Sequence, residues 1–297
     1  SCNIWLNILH LRKASSLLIV TSITKLKPKD SGEKMQLNFK GKVAMVAASS
    51  KGLGFGIAQE LAREGAKLSI GSRSKDGIES AAKKLREKTQ ADVLSSILDA
   101  SNNQSIQDWT KRTTDHFGGV DLLVVNAGGP PPGKFMDFTD ENWQAAFDMN
   151  LMSAVRMIRQ VIPSMESRGG GSILTVTSSS VKEPIDVLIL SNVMRSGVTS
   201  LVKSLSLQLA PKNIRVNNLM PGRIDTDRVR SIDENQAKAV GISVEERKAQ
   251  SQATIPLQRY GTIEDFGKMG AFLLSDAASY VTGSSIAVDG GSIKTVW

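Results

Sequence analysis

The amino-acid sequence predicts an α/β protein, in which a doubly wound parallel sheet of seven strands carries helices on both faces. Short apolar runs alternate with amphipathic segments from Lys42 onward, an order typical of parallel strands joined by helices. Each run is too short for a buried helix, and most are rich in Val, Ile and Leu, as strands buried on both faces are. The seven predicted strands are Val43–Ala48, Lys67–Gly71, Val93–Leu98, Leu122–Asn126, Ser172–Thr177, Ile214–Leu219 and Ser285–Val288.

The segments between these runs have the apolar spacing of helices. After the first run, Leu53, Ile57 and Leu61 recur every four residues and therefore share one helix face. A longer stripe of the same kind follows the fifth run, formed by Val198, Leu201, Val202, Leu205 and Leu209. We find no internal repeat or low-complexity linker after residue 34, so residues 35–297 are predicted to form a single domain.

Residues 1–34 are expected to be an extension outside this fold. Met35 begins the stretch MQLNFKGKVAMV, which resembles a natural protein start. The apolar part of the extension, SSLLIVTSI, is too short to cross a bilayer. A basic, serine-containing segment of this kind can imitate a transit peptide. A translated upstream region is the preferred interpretation, and the protein is expected to be cytoplasmic and to bind no membrane.

Composition excludes several classes of function. The formal net charge is +8, but residues 1–34 carry six basic and two acidic side chains, so half of the excess lies outside the predicted domain. No block of Lys or Arg interleaved with aromatic residues follows, so nucleic acid is not an expected partner. The single cysteine is Cys2 and the two histidines are His10 and His116. We therefore expect no disulfide, no thiolate catalysis and no His or Cys metal site in the domain.

A glycine-rich turn follows the first predicted strand and leads directly into a helix. Its residues are Ser50, Lys51, Gly52, Leu53 and Gly54. Glycines let the backbone approach a phosphate, and a helix N-terminus supplies unpaired N–H groups and the positive end of the helix dipole. The turn therefore predicts a dinucleotide phosphate site. The alternative is that these glycines only allow the helix to pack closely on the sheet.

Further motifs follow in a fixed order, and together they make the chain similar to the short-chain dehydrogenase/reductase family across residues 38–292. The glycine turn resembles the family's T-G-x-x-x-G-x-G, with Ala47 and Ala48 in place of its first Thr-Gly. The chain is most similar to 3-oxoacyl-ACP reductase-like members. The resemblance implies a Rossmann-type fold, with cofactor contacts from Asp99 at the adenine, from Asn126, Ala127 and Gly128 in VNAG, and from Pro221, Gly222 and Thr226.

The end of the second strand favours NADP over NAD as cofactor. Ser72 stands where an acidic side chain would bind the 2′-hydroxyl of NAD, and Arg73 is the next residue. Arg73 and Lys51 together would neutralise a 2′-phosphate, because a guanidinium fork matches phosphate geometry. The alternative is that Arg73 is only a solvated charge at the strand end.

The resemblance also places the catalytic residues, and here the chain departs from the family. Asn150 and Ser178 stand at the positions of the active-site asparagine and serine. In the family a Tyr-x-x-x-Lys pair follows, in which the tyrosine donates a proton while the lysine lowers its pKa and binds the nicotinamide ribose. Those two positions carry Ser191 and Arg195 in this sequence. Positioning and positive charge are retained, whereas an aliphatic hydroxyl is far less acidic than a phenol.

Two groups could supply the missing proton. Lys182 follows Ser178 in a loop expected at the mouth of the site, and a desolvated lysine can act as a proton donor. The other candidate is a water held by Ser178, Ser191 and Asn150. The predicted function is hydride transfer between NADP(H) and a small carbonyl or alcohol substrate. The alternative is a dinucleotide-binding protein with impaired catalysis and a regulatory or assembly role.

The remaining expectations concern the substrate pocket and assembly. The segment GGPPPGKF, residues 128–135, is predicted to form a stiff wall, because prolines fix φ. Residues 224–256 are polar and are expected to cover the substrate. By resemblance, a homodimer or homotetramer is expected.

Overall fold

The computed structural model describes residues 36–296, so the predicted extension over residues 1–34 lies outside the described residues. The described chain forms one seven-stranded sheet with the order β3-β2-β1-β4-β5-β6-β7, and all six neighbouring pairs are parallel. The predicted fold class is therefore confirmed. The strands are β1 Val43–Ala47, β2 Lys67–Ser72, β3 Val93–Ile97, β4 Leu122–Val125, β5 Gly171–Val176, β6 Ile214–Pro221 and β7 Ser285–Val288.

Helices connect the strands in the predicted alternation. A π-helical turn, Phe147–Met152, joins the fourth helix to the fifth, and a 3-10 turn, Ser179–Val181, follows β5. None of the helices in residues 36–296 is both long and apolar enough to cross a membrane. The helices are α1 Gly52–Arg63, α2 Lys75–Thr89, α3 Asn103–Phe117, α4 Asp140–Ala146, α5 Ser153–Ser167, α6 Ile189–Leu209, α7 Asp227–Val240, α8 Val244–Ala253 and α9 Ile263–Leu274.

The sheet is covered by apolar side chains on both faces. One core cluster joins the sheet to α1, α2 and α9, and the other joins it to α3, α5 and α6. Every residue of β1 is buried, as expected for a central strand of a doubly wound sheet. Gly56 packs α1 against α9, because a Cβ at Gly56 would overlap the backbone of Ile263. Close packing of the two helices is thus the observed role of Gly56.

The strand order reverses direction between β1 and β4, which are neighbours in the sheet. In open α/β sheets a crevice forms outside the carboxyl ends of the strands at this point, and ligands bind there. The segments that follow β1, β4, β5 and β6 carry most of the predicted site residues. The topology therefore gathers those residues at one edge of the sheet.

Candidate active site

The turn between β1 and α1 is shaped for a phosphate. Helix α1 begins at Gly52, and the residue before it, Lys51, makes no side-chain capping bond to the helix. A Cβ on Gly54 would lie 2.6 Å from the carbonyl oxygen of Ala48, so only glycine allows this tight turn. Ala48 adopts a φ of 48°, a left-handed conformation that glycine adopts more readily. The turn keeps the family's geometry although alanine stands in a glycine position.

Segments from two other strands close around this turn. Asn126, directly after β4, donates a hydrogen bond from Nδ2 to the carbonyl oxygen of Ala48 at 3.2 Å. Thr226, after β6, lies beside Gly52: a Cβ built on Gly52 would meet its Cγ2 at 3.6 Å. The Thr226 hydroxyl accepts a hydrogen bond from Val229 N at 3.4 Å and so caps α7. Asn126 and Thr226, two of the predicted cofactor contacts, therefore lie next to the predicted phosphate site.

The Pro221-Gly222 pair ends β6 against the C-terminal segment. A Cβ on Gly222 would lie 2.6 Å from the Cα of Asp289, so a side chain there would push this segment away. Ala127 and Gly128 follow Asn126 at the end of β4, and a Cβ on Gly128 would meet nothing within 4 Å. Open space next to this strand end suits a flat ligand group.

The predicted adenosine end of the site lies beyond β2 and β3. Ser72 is buried and donates a hydrogen bond to the carbonyl oxygen of Ser74 at 3.4 Å. Arg73 is exposed and forms no ion pair with any residue of the described range. Ser50 lies close to the first turn of α2, because a Cβ on Gly77 would meet Ser50 Cβ at 3.6 Å. Ser50 and Arg73 thus flank the position predicted for a 2′-phosphate.

Two predicted cofactor contacts already have partners within the protein. Lys51 Nζ lies 2.7 Å from the Asp227 carboxylate, a salt bridge between two exposed side chains. This salt bridge would have to open for Lys51 to bind a 2′-phosphate, and that role stays a prediction. Asp99 accepts hydrogen bonds at one carboxylate oxygen from both the backbone N and the hydroxyl of Ser101, at 3.0 and 2.7 Å.

Asn150 lies in the π-helical turn and is buried, with 5% of its surface exposed. Its Nδ2 donates a hydrogen bond to the carbonyl oxygen of Gly128 at 2.8 Å, which ties the turn to the end of β4. Its Oδ1 is also buried and has no hydrogen-bond partner within residues 36–296. Single π-helical turns often occur at functional sites. An unpaired buried acceptor is costly, so this oxygen is a natural position for a bound water.

Ser191 and Arg195 are brought together as their spacing on one helix face predicts. Both lie in α6, which begins at Ile189, and Arg195 Nε donates a hydrogen bond to Ser191 Oγ at 3.2 Å. Arg195 Nη1 donates a second hydrogen bond to the carbonyl oxygen of Val176, the last residue of β5, at 3.0 Å. The Ser178 hydroxyl follows two residues later and accepts a hydrogen bond from Ser180 N at 3.1 Å.

The Arg195 guanidinium is a partly buried cation without an acidic partner in the described chain. Burial, and secondarily the positive charge of Arg228, lower the pKa of Arg195 to about 10. This pKa is still well above neutral pH, so Arg195 keeps its positive charge there. Arg195 can therefore stabilise negative charge that develops on a substrate oxygen, but it cannot act as a proton donor.

Lys182 does not meet the conditions of a desolvated proton donor. Its side chain is exposed, and only its backbone N–H bonds to the preceding 3-10 turn, at Ser179 O. Of the two interpretations of Lys182, a desolvated proton donor or an exposed lysine of the loop after β5, the structure therefore favours the second. The predicted proline-rich wall, residues 128–135, is held in place by two contacts with the loop after β5. Gly133 N donates a hydrogen bond to the carbonyl oxygen of Val187 at 2.7 Å, and Lys134 forms a salt bridge with Asp186 at 3.4 Å.

Comparison with known proteins agrees with this geometry. The family profile described as Enoyl-(Acyl carrier protein) reductase matches residues 47–292. Dehydrogenase/reductase SDR family member 4 from Homo sapiens is 34% identical over 252 residues, which cover 84% of this chain and 87% of that protein. The chain belongs to the short-chain dehydrogenase/reductase family.

Other family members are similar over comparable lengths. The NADPH-dependent reductase BacG from Bacillus subtilis is 32% identical over 256 residues, covering 86% of this chain and 99% of that protein. The crystal structure of L-sorbose reductase from Gluconobacter frateurii, complexed with NADPH and L-sorbose, superposes with a TM-score of 0.85. At 32% identity, it covers 88% of this chain and 100% of that chain.

The residues at the strand ends fit the dinucleotide that is bound in that family relative. Helix α1 points an uncapped N-terminus at the crevice, Gly128 faces open space, and Asn150 holds an unpaired acceptor.

Neither tyrosine of the sequence is placed to act as the tyrosine of the family's motif. Tyr260 donates its hydroxyl proton to the Asp233 carboxylate at 2.8 Å, and Tyr280 is fully exposed.

The sequence did not identify two features of residues 224–256, the segment that is predicted to cover the substrate. Asp233 is buried, with 1% of its surface exposed, and it pairs with Arg223 at 2.8 Å as well as with Tyr260. This network fixes α7 to the body of the protein. Arg228, in the first turn of α7, reaches the backbone after β4, and its hydrogen bonds to Gly129 O and Pro130 O are both 3.5 Å long. No pattern in the sequence distinguishes these charges from solvated ones.

Proposed function

We propose that the protein is an NADP(H)-dependent oxidoreductase that interconverts a carbonyl and an alcohol, with Ser191 and Arg195 in the positions of the family's Tyr and Lys. One observation carries this proposal: Arg195 bridges Ser191 and the end of β5, next to Ser178. The family's Lys position is thus occupied by a cation that is hydrogen-bonded and directed into the site. A protein that only binds a dinucleotide would not need this arrangement.

When bound, NADPH supplies a hydride to the carbonyl carbon, and the protein provides the groups around the carbonyl oxygen. Ser178 Oγ accepts a hydrogen bond from Ser180 N, and Ser191 Oγ accepts one from Arg195 Nε. A serine hydroxyl has one donor and two acceptor positions, so the O–H of each serine remains able to donate. Both hydroxyls can therefore bind the substrate oxygen, while Arg195 stabilises the charge that develops on it.

The proton has to come from water in this proposal. Neither Ser191 nor Arg195 is acidic enough to donate its proton at neutral pH, so Ser191 can only pass on a proton that it receives from water, and Arg195 can only stabilise negative charge. The unpaired Oδ1 of Asn150 provides the acceptor that would hold a water near these groups. A water-dependent relay is slower than a tyrosine general acid, which typically contributes about 10² to 10⁴ in rate. We therefore expect modest turnover.

NADP is the proposed cofactor because of the charges at the end of β2. Arg73, the residue after β2, is exposed and forms no ion pair in the described part of the chain, so it can bind a 2′-phosphate. Relatives support this choice, since the sorbose reductase structure contains NADPH and BacG is NADPH-dependent by name. A homo-oligomeric state and a cytoplasmic location stay predictions.

The test is a carbonyl panel followed by NADPH absorbance, after NADPH titration by fluorescence. The intact protein should reduce at least one carbonyl above the rate without protein. Ser191→Ala should lower that rate by about tenfold or more, since it removes one donor to the substrate oxygen. Ser204→Ala is the matched control: this serine is exposed on the same helix and donates to Ser200 O, so its removal should change nothing. NADPH binding without reduction of any carbonyl would favour the alternative, a binding protein with impaired catalysis.

A further inference from the structure

Arg228 lies directly over the backbone at the end of β4. A Cβ built on Gly129 would lie 2.5 Å from Nη2 and 2.9 Å from Nη1 of Arg228, so the guanidinium is in contact with this glycine. Its two hydrogen bonds, to Gly129 O and Pro130 O, are at the 3.5 Å limit and are weak. Most of the donor capacity of this guanidinium therefore remains available to a ligand.

The position of Arg228 is on the substrate side of the site. The residue before Gly129 is Gly128, whose carbonyl oxygen is held by Asn150. Arg228 and Arg195 are close enough for the positive charge of Arg228 to contribute to the lowered pKa of Arg195. The site thus contains two neighbouring cations, and their mutual repulsion is unfavourable without a ligand.

No acidic side chain of the described chain compensates these two arginines. Arg195 and Arg228 take part in none of the ion pairs of residues 36–296. The acidic residues of the surrounding segments already bind other groups, either basic side chains or backbone N–H groups. They are Asp148 with Arg156, Asp186 with Lys134, Asp225 with Arg230 and Lys248, Asp227 with Lys51 and Arg230, Glu183 with Lys294 N, and Asp289 with Gly291 N and Ile293 N.

We infer that the substrate carries a carboxylate close to its reacting carbonyl, and that Arg228 binds this carboxylate while Ser178 and Ser191 bind the carbonyl oxygen. The inference rests on the proposed function and narrows its substrate to an oxo acid. A planar guanidinium matches a carboxylate in two parallel hydrogen bonds. In the reduction, the carbonyl carbon gains a hydride from NADPH and the carbonyl oxygen gains a proton from water, giving the hydroxy acid, NADP⁺ and hydroxide.

The cofactor does not account for Arg228 in this arrangement. The phosphate site that the sequence predicts lies at the glycine-rich turn and the N-terminus of α1. Arg228 instead reaches past Thr226 to Gly129 and Pro130, at the start of the proline-rich wall. A carboxylate bound there would neutralise one of the two clustered charges.

Binding is tested without turnover, using the protein loaded with NADP⁺. A panel of 2-oxo and 3-oxo carboxylic acids, which NADP⁺ cannot reduce, is titrated calorimetrically, each with its primary amide, into the intact protein, Arg228→Gln and Arg230→Gln. At least one acid should bind about tenfold or more tightly than its amide. Arg228→Gln should remove this preference and leave amide binding unchanged. Arg230 lies two residues away and pairs with Asp225 and Asp227, so Arg230→Gln should keep the preference.

Equal binding of every acid and its amide to the intact complex would overturn the inference, and so would an acid preference that survives Arg228→Gln. Weaker NADP⁺ binding in Arg228→Gln, by tenfold or more, would also overturn it by making Arg228 a cofactor contact. The proposed function has a separate readout, the reduction of carbonyls. If the protein reduces neutral carbonyls and shows no preference for acids, only the inference that the substrate carries a carboxylate is refuted. If it binds acids but reduces no carbonyl, only the oxidoreductase function is refuted.

Discussion

Replacing Arg195 by methionine should stabilise the protein in the absence of cofactor. Burial and the charge of Arg228 lower the pKa of Arg195 to about 10, which means that the folded state disfavours the cation by about 3 kcal/mol, at about 1.4 kcal/mol for each pKa unit. Both folded and unfolded states hold this cation at pH 7, so the whole penalty is present there and begins to fall only as the pH rises above about 10. Methionine removes the charge and keeps most of the apolar stem.

The substitution also removes two hydrogen bonds, to Val176 O and Ser191 Oγ, worth about 1 kcal/mol each. The removed charge penalty exceeds the two lost hydrogen bonds, so the free energy of unfolding should rise by about 1 kcal/mol. For a chain of this size, that raises Tm by about 3 °C. The assay is urea unfolding at pH 7 followed by circular dichroism. A loss of more than about 1 kcal/mol would refute the reasoning, because Arg195 would then contribute to stability rather than to the site.

Arg215 provides the matched control, since burial also lowers its pKa. Its guanidinium donates to four carbonyl oxygens around the end of α9, those of Leu273, Leu274, Ser275 and Val281, at 2.7 to 3.2 Å. Arg215→Met would leave these acceptors without a donor, so it should destabilise the protein by about 2 to 5 kcal/mol. If Arg195→Met stabilises the protein and Arg215→Met destabilises it, Arg195 is retained for function and Arg215 for the fold.

Three further substitutions test other parts of the structure. Arg73→Ala should remove most of a preference for NADPH over NADH of about tenfold, or about 1.4 kcal/mol, as measured by fluorescence titration; equal affinities in the intact protein would contradict the cofactor assignment. Ala48→Gly should stabilise the protein by about 0.5 to 1 kcal/mol in urea unfolding, because Ala48 has a φ of 48°, and a loss of stability would show that this turn is not strained. Asp233→Ala should cost about 2 kcal/mol or more, since it leaves Arg223 and Tyr260 without their buried partner, whereas Asp225→Ala, in a more exposed pair, should stay within about 1 kcal/mol.

The fold and the pairing of Ser191 with Arg195 could be predicted because both depend on local patterns. Short apolar runs mark parallel strands, although β6 runs on to Pro221, beyond the predicted Leu219. The spacing of four residues places Ser191 and Arg195 on one helix face, and the structure shows them hydrogen-bonded. Such patterns are visible in a single sequence because each element carries its own periodicity.

Contacts between distant segments could not be predicted in the same way. Lys51 pairs with Asp227, 176 residues later, and Arg228 reaches Gly129, 99 residues earlier. These contacts depend on how α7 begins after β6, which Thr226 sets by capping the helix. The π-helical turn around Asn150 has no distinct apolar period, and the exposure of Lys182 depends on the course of a loop.

Transfer of deuterium from NADPH to a carbonyl carbon is the most direct test of whether this protein is an oxidoreductase. The protein is saturated with NADPH deuterated at the transferring C4 position and mixed with a panel of oxo acids and neutral carbonyls, and the alcohols are analysed by mass spectrometry. The intact protein should form deuterated alcohol. Arg195→Met should form it at a rate lower by about a hundredfold or more, because the cation that stabilises the developing oxyanion is gone. Bound NADPH with no deuterated product above the protein-free control, or an unchanged rate in Arg195→Met, would contradict this prediction.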